Sequence, residues 1–505
     1  MNMLRNIKFR LSALAVLLLA TSCLDKYPES AIPEKDAMKT FADAEQTLTG
    51  IYATFKSSSL FSGRLTLLPD IQADLVYAVE GNSNQFGNFW RWDVRPTDLD
   101  LEGVYADRCN FFLERIDEVM RNEISDDNLE DLEEYTGEVY AIRALCYSEL
   151  LKNYCKAYDP TTAQSELGVV IRTKYSTPEP IRRASLYDSY KFVLDDLAEA
   201  EKRLDKEEDA YSNEYITSAA AQALHARVAL YMQDWDTAIE YASILIDDKK
   251  STFKLADAKT KYNADYTFFD YMWAYDLSYE IIWRIGFTET SYGSPLGTVF
   301  LNFTKDLTYY YPDYVPATAA LNLYDDADLR YSGYFAGKEQ GLTIGYTNGL
   351  DWPMLVKYYG NRNFTDKLIF HVSMPKPFRL AEQYLIRAEA YCRKNDFTKA
   401  GNDLTALRKM RYASGGTLNV SKNNWLQTIS DERVRELYME GFRLHDLKRW
   451  GREYADLNGG YSIRRTPQSC SQPEGSSLKI TPDNPLFVWP IPQHELESPG
   501  SEILP

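Results

Sequence analysis

Hydrophobic residues recur every three or four positions along several long stretches of the chain, which is the pattern of amphipathic helices. The first stretch begins near Thr40 or Asp43 and ends near Phe55. The others cover residues 101–120, 129–154, 186–204, 217–233, 235–246, 378–393, 397–411 and 431–450, the last with an interruption near Gly441. The chain is therefore predicted to be mainly α-helical.

Two short patterns occur twice, which indicates helix pairs of one kind. Tyr140, Ile142, Arg143, Ala144 and Tyr147 are spaced like Tyr384, Ile386, Arg387, Ala388 and Tyr391; Ala226, Asp234, Trp235 and Ala238 are spaced like Ala388, Asp396, Phe397 and Ala400. Small residues on one helix and an aromatic at the start of the next are typical of tetratricopeptide repeats. We predict a scaffold of scattered tetratricopeptide-like helix pairs, with chance similarity between amphipathic helices as the alternative.

Two regions lack the helical period. Residues 57–100 are rich in Gly, Asn, Ser and aromatic residues, and residues 254–375 form a long insertion dense in Tyr, Gly and Asn. Such composition is typical of loops and turns. We expect irregular loops and a few short strands there, with Trp283 of the run EIIWRI in a buried strand.

The N-terminus has the pattern of an export signal. Residues 1–10 carry three basic side chains and no acidic one, and the next 12 residues are uncharged and mostly apolar. This run is shorter than the roughly 20 residues that a membrane span requires. The following Cys23 resembles the lipid-modified cysteine of bacterial lipoproteins. We predict a signal peptide at 1–22, lipidation of Cys23 and an extended tether at 23–37; a plain signal peptide with an incidental cysteine is the alternative.

Charge and motifs exclude several classes of function. The formal net charge of −18 argues against binding of nucleic acid or anionic membranes through a general basic face. The four histidines form no HExxH or HxH pattern, and no nucleophile motif or phosphate-binding glycine loop is present. The sequence therefore predicts no cofactor, no metal site and no catalytic residue. A glycosidase needs only two facing carboxylates and stays an alternative among 74 acidic residues.

The 38 tyrosines are the unusual part of the composition. A sugar presents C–H groups on its ring faces and hydroxyls at its edge, so a sugar site needs flat aromatic rings with polar side chains around them. The loop regions offer Asn88, Trp90 and Trp92, then Tyr292, Tyr309, Tyr310 and Tyr311, and finally Trp352 as candidate ligand-binding residues.

Each candidate has a structural alternative. Trp90, Trp92 and Val94 alternate as the buried face of a strand would, so both tryptophans can equally belong to the core. The run Tyr309–Tyr311 cannot all face one way, so at least one of its rings is expected to be exposed. Because these loops contain no cluster of Arg or Lys, a neutral glycan is favoured over a strongly anionic one.

The segment 431–451 interleaves acidic and basic residues with apolar ones. The pairs Glu432–Arg435 and Glu436–Arg433 have a spacing that allows ion pairs on one helix. We interpret these charges as structural, holding a helix end and its turn against the scaffold, rather than as a ligand site.

Five regions, in order, resemble the SusD/RagB-like family of outer-membrane lipoproteins. They are CLDKYP at 23–28 with TFADAEQTLTGIYATF at 40–55, EVYAIRALCYSELLKNY at 138–154, FRLAEQYLIRAEAYCRKNDFTKAGNDLTALRKMR at 378–411, DERVRELYMEGFRLHDLKRWG at 431–451 and VWPIPQHEL at 488–496. The fourth is the most specific, because few other families combine ERxRELxxEGxRxxDLxRWG.

The resemblance implies a single α-rich domain over 38–505, with the loop-rich insertion at about 254–375. It implies non-catalytic capture of a nutrient, usually a glycan, at the outer membrane, with a SusC-like TonB-dependent transporter as partner and the protein lipid-anchored and facing outward. Some members of the family capture peptides, so a peptide is the alternative ligand. A purely structural role in assembly is a further alternative.

Overall fold

The computed structural model describes residues 37–99, 106–122, 124–175, 181–204, 211, 213–248, 251–304, 308–345, 351–466, 478–498 and 501–503. The predicted signal peptide, Cys23 and the tether up to residue 36 lie outside the described residues. Within the described part of the chain, no helix is both long enough and apolar enough to cross a membrane.

The predicted amphipathic helices are present with small shifts at their ends. In the first half they are α1 (Phe41–Thr54), α4 (Ala106–Arg121), α5 (Asp126–Tyr154), α6 (Leu186–Arg203), α7 (Ser218–Tyr231) and α8 (Trp235–Asp247). In the second half they are α14 (Leu380–Arg393), α15 (Phe397–Lys409), α16 (Trp425–Glu436) and α17 (Arg443–Leu457). The expected interruption falls at Gly441, which has a left-handed φ of 85°. The fold is mainly helical, as predicted.

The first repeated pattern has a shared packing role. Arg143 on α5 donates two hydrogen bonds to Asp196 on α6, at 2.8 and 2.7 Å. Arg387 on α14 donates two to Asp403 on α15, at 2.9 and 2.7 Å. Each buried guanidinium also lies over the tyrosine that opens its motif, Tyr140 or Tyr384. A buried bidentate pair therefore joins the two helices of each hairpin.

The second repeated pattern marks two equivalent helix starts. Asp234 accepts a hydrogen bond from the backbone N–H of Thr237, and Asp396 accepts one from that of Lys399, so both carboxylates cap a helix N-terminus. The residue before each cap, Gln233 or Asn395, has a left-handed φ of 62°. The alanines of the pattern are fully buried. These features describe the turn of a tetratricopeptide-like hairpin.

The longest helix that the sequence did not predict lies in the first half of the chain. Residues Arg64–Gln72 form α2 inside the region that was predicted to be loop with short strands. Every residue from Leu65 to Gln72 is buried. Since polar and apolar side chains alike face protein on all sides, this helix has no amphipathic period to detect.

Short antiparallel strand pairs connect distant parts of the chain. They are β1 (Val76–Ala78) with β3 (Tyr314–Pro316), β2 (Ile281–Trp283) with β6 (Phe378–Arg379), β4 (Phe335–Ala336) with β5 (Met354–Leu355), and β7 (Ile463–Arg465) with β8 (Leu478–Ile480). Trp283 is fully buried in β2, as predicted. The remaining short helices are α3 (Gly87–Trp90), α9 (Phe268–Tyr275), α10 (Thr298–Leu301), α11 (Thr318–Leu321), α12 (Arg330–Tyr334), α13 (Arg362–Thr365) and α18 (Gln493–Leu496).

A buried charge network fastens the insertion to the helical scaffold. Its centre is Glu436, at the end of α16. Its carboxylate accepts hydrogen bonds from Arg330 at 3.0 Å, Arg379 at 3.1 Å and Arg411 at 2.9 and 3.0 Å. Glu280 binds two of the same guanidiniums, those of Arg379 and Arg411. All of these side chains are at most 1% exposed.

The segment 431–451 is therefore structural, but its pairs differ in part from those expected. Glu432 and Arg435 form an ion pair at 2.7 Å, which confirms the first. The second is wrong, because Arg433 binds Asp446 at 2.6 Å instead. Burying an unpaired charge costs free energy, because the charge loses its hydration. Each of these carboxylates therefore requires its guanidinium partners. The attraction of Arg330 and Arg435 holds the pKa of Glu432 down at about 2, against the effect of burial.

Replacing the central carboxylate tests this network. We expect Glu436→Ala to lower the free energy of unfolding by about 3–5 kcal/mol, because three guanidiniums would lose a buried partner. Glu453→Ala is the matched control, since Glu453 pairs with Arg393 at the surface and its loss should change stability by less than about 1 kcal/mol. Urea unfolding followed by circular dichroism measures both. Equal losses in the two variants would contradict a central role for Glu436.

Candidate functional site

Two of the candidate loop regions meet in the structure. The backbone N–H and hydroxyl of Ser83 donate to Asp313 at 2.5 and 2.8 Å. The Tyr314 hydroxyl donates to the carbonyl of Gln85 at 2.6 Å. The pairing of β1 with β3 brings these residues together, because each loop leaves the same end of that strand pair. The loop 82–92 and the segment 308–316 therefore form one surface, which we call the loop surface.

Loop 82–92 has an unusual backbone. Asn84, Phe86 and Trp92 have left-handed φ values of 64°, 60° and 59°, which non-glycine residues seldom adopt. The Arg91 guanidinium braces the loop by donating to the side-chain oxygen of Asn84 at 2.6 Å and that of Asn88 at 3.0 Å. Strained backbone of this kind is concentrated at binding sites, where the surrounding contacts hold it in place.

The Asp313 carboxylate carries most of the contact between the two regions. Burial raises the pKa of Asp313, and the two hydrogen bonds from Ser83 lower it again. Because the acceptor of these hydrogen bonds is a charged carboxylate, they are stronger than hydrogen bonds between neutral groups. Asp313 therefore positions loop 82–92, while Asn84 and Gln85 at the tip stay exposed.

Two predicted ligand residues in this loop are buried, and the expectation for them is corrected. Trp90 is 1% exposed and donates its indole N–H to the Val76 carbonyl at 3.2 Å. Trp92 is 8% exposed and donates to the Gln72 carbonyl at 2.7 Å. Trp90 ends the short helix α3 rather than lying in a strand. Both rings fill space behind the loop, so their alternative assignment to the core is the one that the structure supports.

The tyrosine run faces more than one way, as expected. Tyr309 is 45% exposed, Tyr311 is half-buried, and Tyr310 is buried between its backbone partners Thr343 and Gly345. Burial raises the pKa of Tyr310 to about 12. Tyr310 is therefore also corrected from a ligand contact to a structural residue, whereas Tyr309 remains available on the loop surface.

The last two candidates occupy different places. Trp352 is half-buried and donates its indole N–H to the Pro316 carbonyl at 3.0 Å, so it lies at the far end of β3 from the loop 82–92. Tyr292 is 43% exposed, and its ring packs on Phe364 with centroids 6.2 Å apart. Its loop is tied to the turn after α1 by a hydrogen bond from the Lys56 ammonium to the Ser291 carbonyl. The contacts of Tyr292 thus involve neither of the two regions that form the loop surface.

A second group of exposed aromatics was missed by sequence analysis. Tyr262, Tyr266, Tyr271 and Tyr275 lie together on and before α9, with neighbouring ring centroids between 4.0 and 6.4 Å apart. The detectable signal was the i, i+4 spacing of Tyr271 and Tyr275, which places both rings on one helix face. Tyr262 and Tyr266 precede the helix, so no periodicity links them to it.

Other chemistry is sparse in the described part of the chain. No group of three or more His, Cys, Asp or Glu side chains there has the geometry to hold a metal ion. A cavity of about 420 Å³ opens between α5 and the C-terminal segment. Aliphatic side chains line much of it, including Leu150, Val169, Ile181 and Ile491. Its walls therefore present few flat rings to a sugar.

The fold and the loop surface together define a class of protein: a tetratricopeptide-like helical scaffold that displays a surface built from loops. Two family models match the chain. One, described as "SusD family", covers residues 297–500, and the other, described as "Starch-binding associating with outer membrane", covers residues 23–230. The chain belongs to the SusD/RagB family.

Individual relatives agree with this assignment. The starch-binding protein SusD of Bacteroides thetaiotaomicron is 37% identical over 134 residues, which is 25% of this chain and 22% of that protein. SusD-like protein P2 of Formosa agariphila is 22% identical over 90% of this chain and 93% of its own. A SusD superfamily crystal structure from B. thetaiotaomicron superposes with a TM-score of 0.74 at 22% identity, covering 92% of this chain and 99% of that one. A putative sugar binding protein from Bacteroides vulgatus gives 0.72 at 23% identity, covering 92% and 98%.

The role of Asp313 in positioning the loop is testable without a ligand. We expect Asp313→Ala to accelerate hydrogen exchange at the Ser83 amide by about 10- to 100-fold, because that amide loses a charged acceptor worth about 1.5–3 kcal/mol. Asp93→Ala, which removes an exposed carboxylate directly after the loop, is the control and should leave that exchange unchanged. Hydrogen–deuterium exchange mass spectrometry measures both. An unchanged rate in Asp313→Ala would contradict the role.

Proposed function

We propose that this protein is a non-catalytic surface protein that captures a neutral glycan and delivers it to a SusC-like TonB-dependent transporter. The observation that carries the proposal is the loop surface, where Asp313 holds a strained polar loop and the adjoining segment carries the exposed Tyr309, in a member of a glycan-binding family. Glycan as the substrate class is supported by the description of the family model, by the starch-binding relative and by the structural neighbour described as a putative sugar binding protein.

The charges on the loop surface favour a neutral ligand. Arg91 is a cation there, and its guanidinium already donates to two amide oxygens. Asp93 directly follows loop 82–92, Asp313 lies in the segment 308–316, and the whole chain carries a net charge of −18. An anionic polysaccharide would approach against this field. The exposed amides of Asn84 and Gln85 both donate and accept, which suits neutral sugar hydroxyls.

The Tyr309 ring supplies the flat surface of this site. We expect Tyr309→Ala to weaken glycan binding by about two- to tenfold, since one stacked ring contributes about 0.5–1.5 kcal/mol. Tyr187→Ala is the control, because Tyr187 is similarly exposed but lies on the scaffold helix α6. Affinity electrophoresis in gels containing starch, laminarin, arabinoxylan or galactomannan identifies the polysaccharide that is retained, and calorimetry with its oligosaccharides gives the affinity.

Three outcomes separate this proposal from its alternatives. Retention by no polysaccharide combined with binding of peptides would assign a peptide ligand instead. Release of reducing sugar by the purified protein would show catalysis and contradict a pure binding role. Equal affinities of Tyr309→Ala and wild type would remove Tyr309 from the site.

Membrane anchoring rests on Cys23. We expect Cys23→Ser to move the exported protein from the membrane fraction to the soluble fraction, because stable anchoring requires more than one acyl chain and the thiol is their attachment point. Detergent phase partitioning with an immunoblot measures the distribution. Cys470→Ser is the matched control and should remain in the detergent phase. A Cys23→Ser protein that still partitions with the membrane would contradict lipidation at this site.

A further inference from the structure

Four tyrosines beside α9 form a continuous aromatic surface, which we call the tyrosine platform: Tyr262, Tyr266, Tyr271 and Tyr275. The rings of Tyr262 and Tyr271 lie 4.0 Å apart, and those of Tyr271 and Tyr275 are stacked at 4.6 Å with an interplanar angle of 22°. Tyr266 meets Tyr275 edge-on at 5.6 Å. The platform is therefore a fixed array of rings rather than a set of independent side chains.

These rings are not needed to fill the core. Tyr262 is 41% exposed and the other three are half-buried, while the core side of α9 is occupied by Phe269, Met272 and Trp273. A contiguous exposed aromatic patch of this kind usually marks a binding surface. Its tyrosines combine a flat apolar face with a polar hydroxyl, which is the combination that a sugar ring requires.

The surroundings of the platform are polar and carry charges of both signs. Asn263 and Asp265 are exposed between the first two tyrosines, and Asp366 and Arg362 lie near Tyr275. Carboxylate oxygens accept hydrogen bonds from sugar hydroxyls and repel anionic ligands. Burial together with the hydrogen bond to Tyr262 raises the pKa of Tyr271, so its hydroxyl stays protonated at neutral pH.

The platform is connected to the loop surface through one short segment. The Asn361 side chain donates to the Tyr275 carbonyl at 2.9 Å, and the next residue, Arg362, places its guanidinium 5.3 Å from the ring centroid of Tyr359. Tyr359 in turn shares a side-chain hydrogen bond with Tyr310 of the loop surface. Three neighbouring contacts thus lead from α9 to the segment 308–316.

We propose that the tyrosine platform is a second binding surface for the same neutral glycan, so that the protein selects chains of many sugar units over short ones. This proposal rests on the proposed function. In this proposal, the sugar units that extend beyond the loop surface bind the platform. The affinity is therefore expected to rise with the length of the glycan.

The test compares short and long oligosaccharides of the polysaccharide that wild-type protein retains. We expect the double variant Tyr262→Ala/Tyr271→Ala to bind the longest oligosaccharide about tenfold more weakly, since two stacked rings are lost, while its affinity for the trisaccharide is unchanged. Tyr309→Ala should weaken the binding of both the trisaccharide and the longest oligosaccharide. Tyr187→Ala should weaken neither. Calorimetry measures all four proteins.

A second measurement does not depend on the stability of a variant. Nitration of wild-type protein by tetranitromethane, followed by peptide mass spectrometry, should modify the exposed Tyr262 and Tyr187. The long oligosaccharide should protect Tyr262 and leave Tyr187 reactive. Unprotected Tyr262, or a double variant that binds the long chain like wild type, would overturn the platform while leaving the proposed function intact. Failure of wild type to bind any glycan would overturn both.

Discussion

The structure depends on a group of buried charges that satisfy one another. Glu436 receives hydrogen bonds from guanidiniums that belong to three separate parts of the chain, at residues 330, 379 and 411. Since each charge would be costly to bury alone, the parts that carry them are stable only when assembled together. The network thereby joins α16 and the turn after α15 in the scaffold to α12 of the insertion. It fixes the insertion as a rigid continuation of the helical frame.

The loops of the proposed site are positioned by that frame. β1 follows directly from the buried helix α2, and its partner β3 belongs to the insertion. Where these strands end, Asp313 and Tyr314 reach across to hold the loop 82–92 by its backbone. Contacts to its backbone, together with the brace from Arg91, fix the loop, and the side chains of Asn84 and Gln85 lie exposed at its tip. The buried tryptophans behind it, Trp90 and Trp92, provide the rigid base that a loop with three left-handed residues requires.

The sequence predicted the parts of the fold that follow a local rule. Amphipathic periodicity located the long helices, and the repeated Arg143 and Arg387 patterns marked equivalent hairpins. The helix α2 was not predicted, because burial on all sides removes the amphipathic period of its sequence. The partners of Glu436 were not predicted, because Arg330 lies 106 residues away in the sequence and Arg379 lies 57 away. At such separations, the spacing of residues in the sequence does not indicate a contact. For the same reason, the orientation of each loop aromatic could only be read from the assembled structure.

The proposed neutral sugar ligand adds a further constraint on this architecture. Without charge attraction, each stacked ring contributes only about 0.5–1.5 kcal/mol, so useful affinity requires several rings held in one arrangement. Ordering those rings at the moment of binding would cost entropy that a weak ligand cannot offset. The rings of α9 already stack on one another, and the segment carrying Tyr309 is tied to neighbouring backbone. Because the ordering is done during folding, stability and binding depend on the same rigid frame.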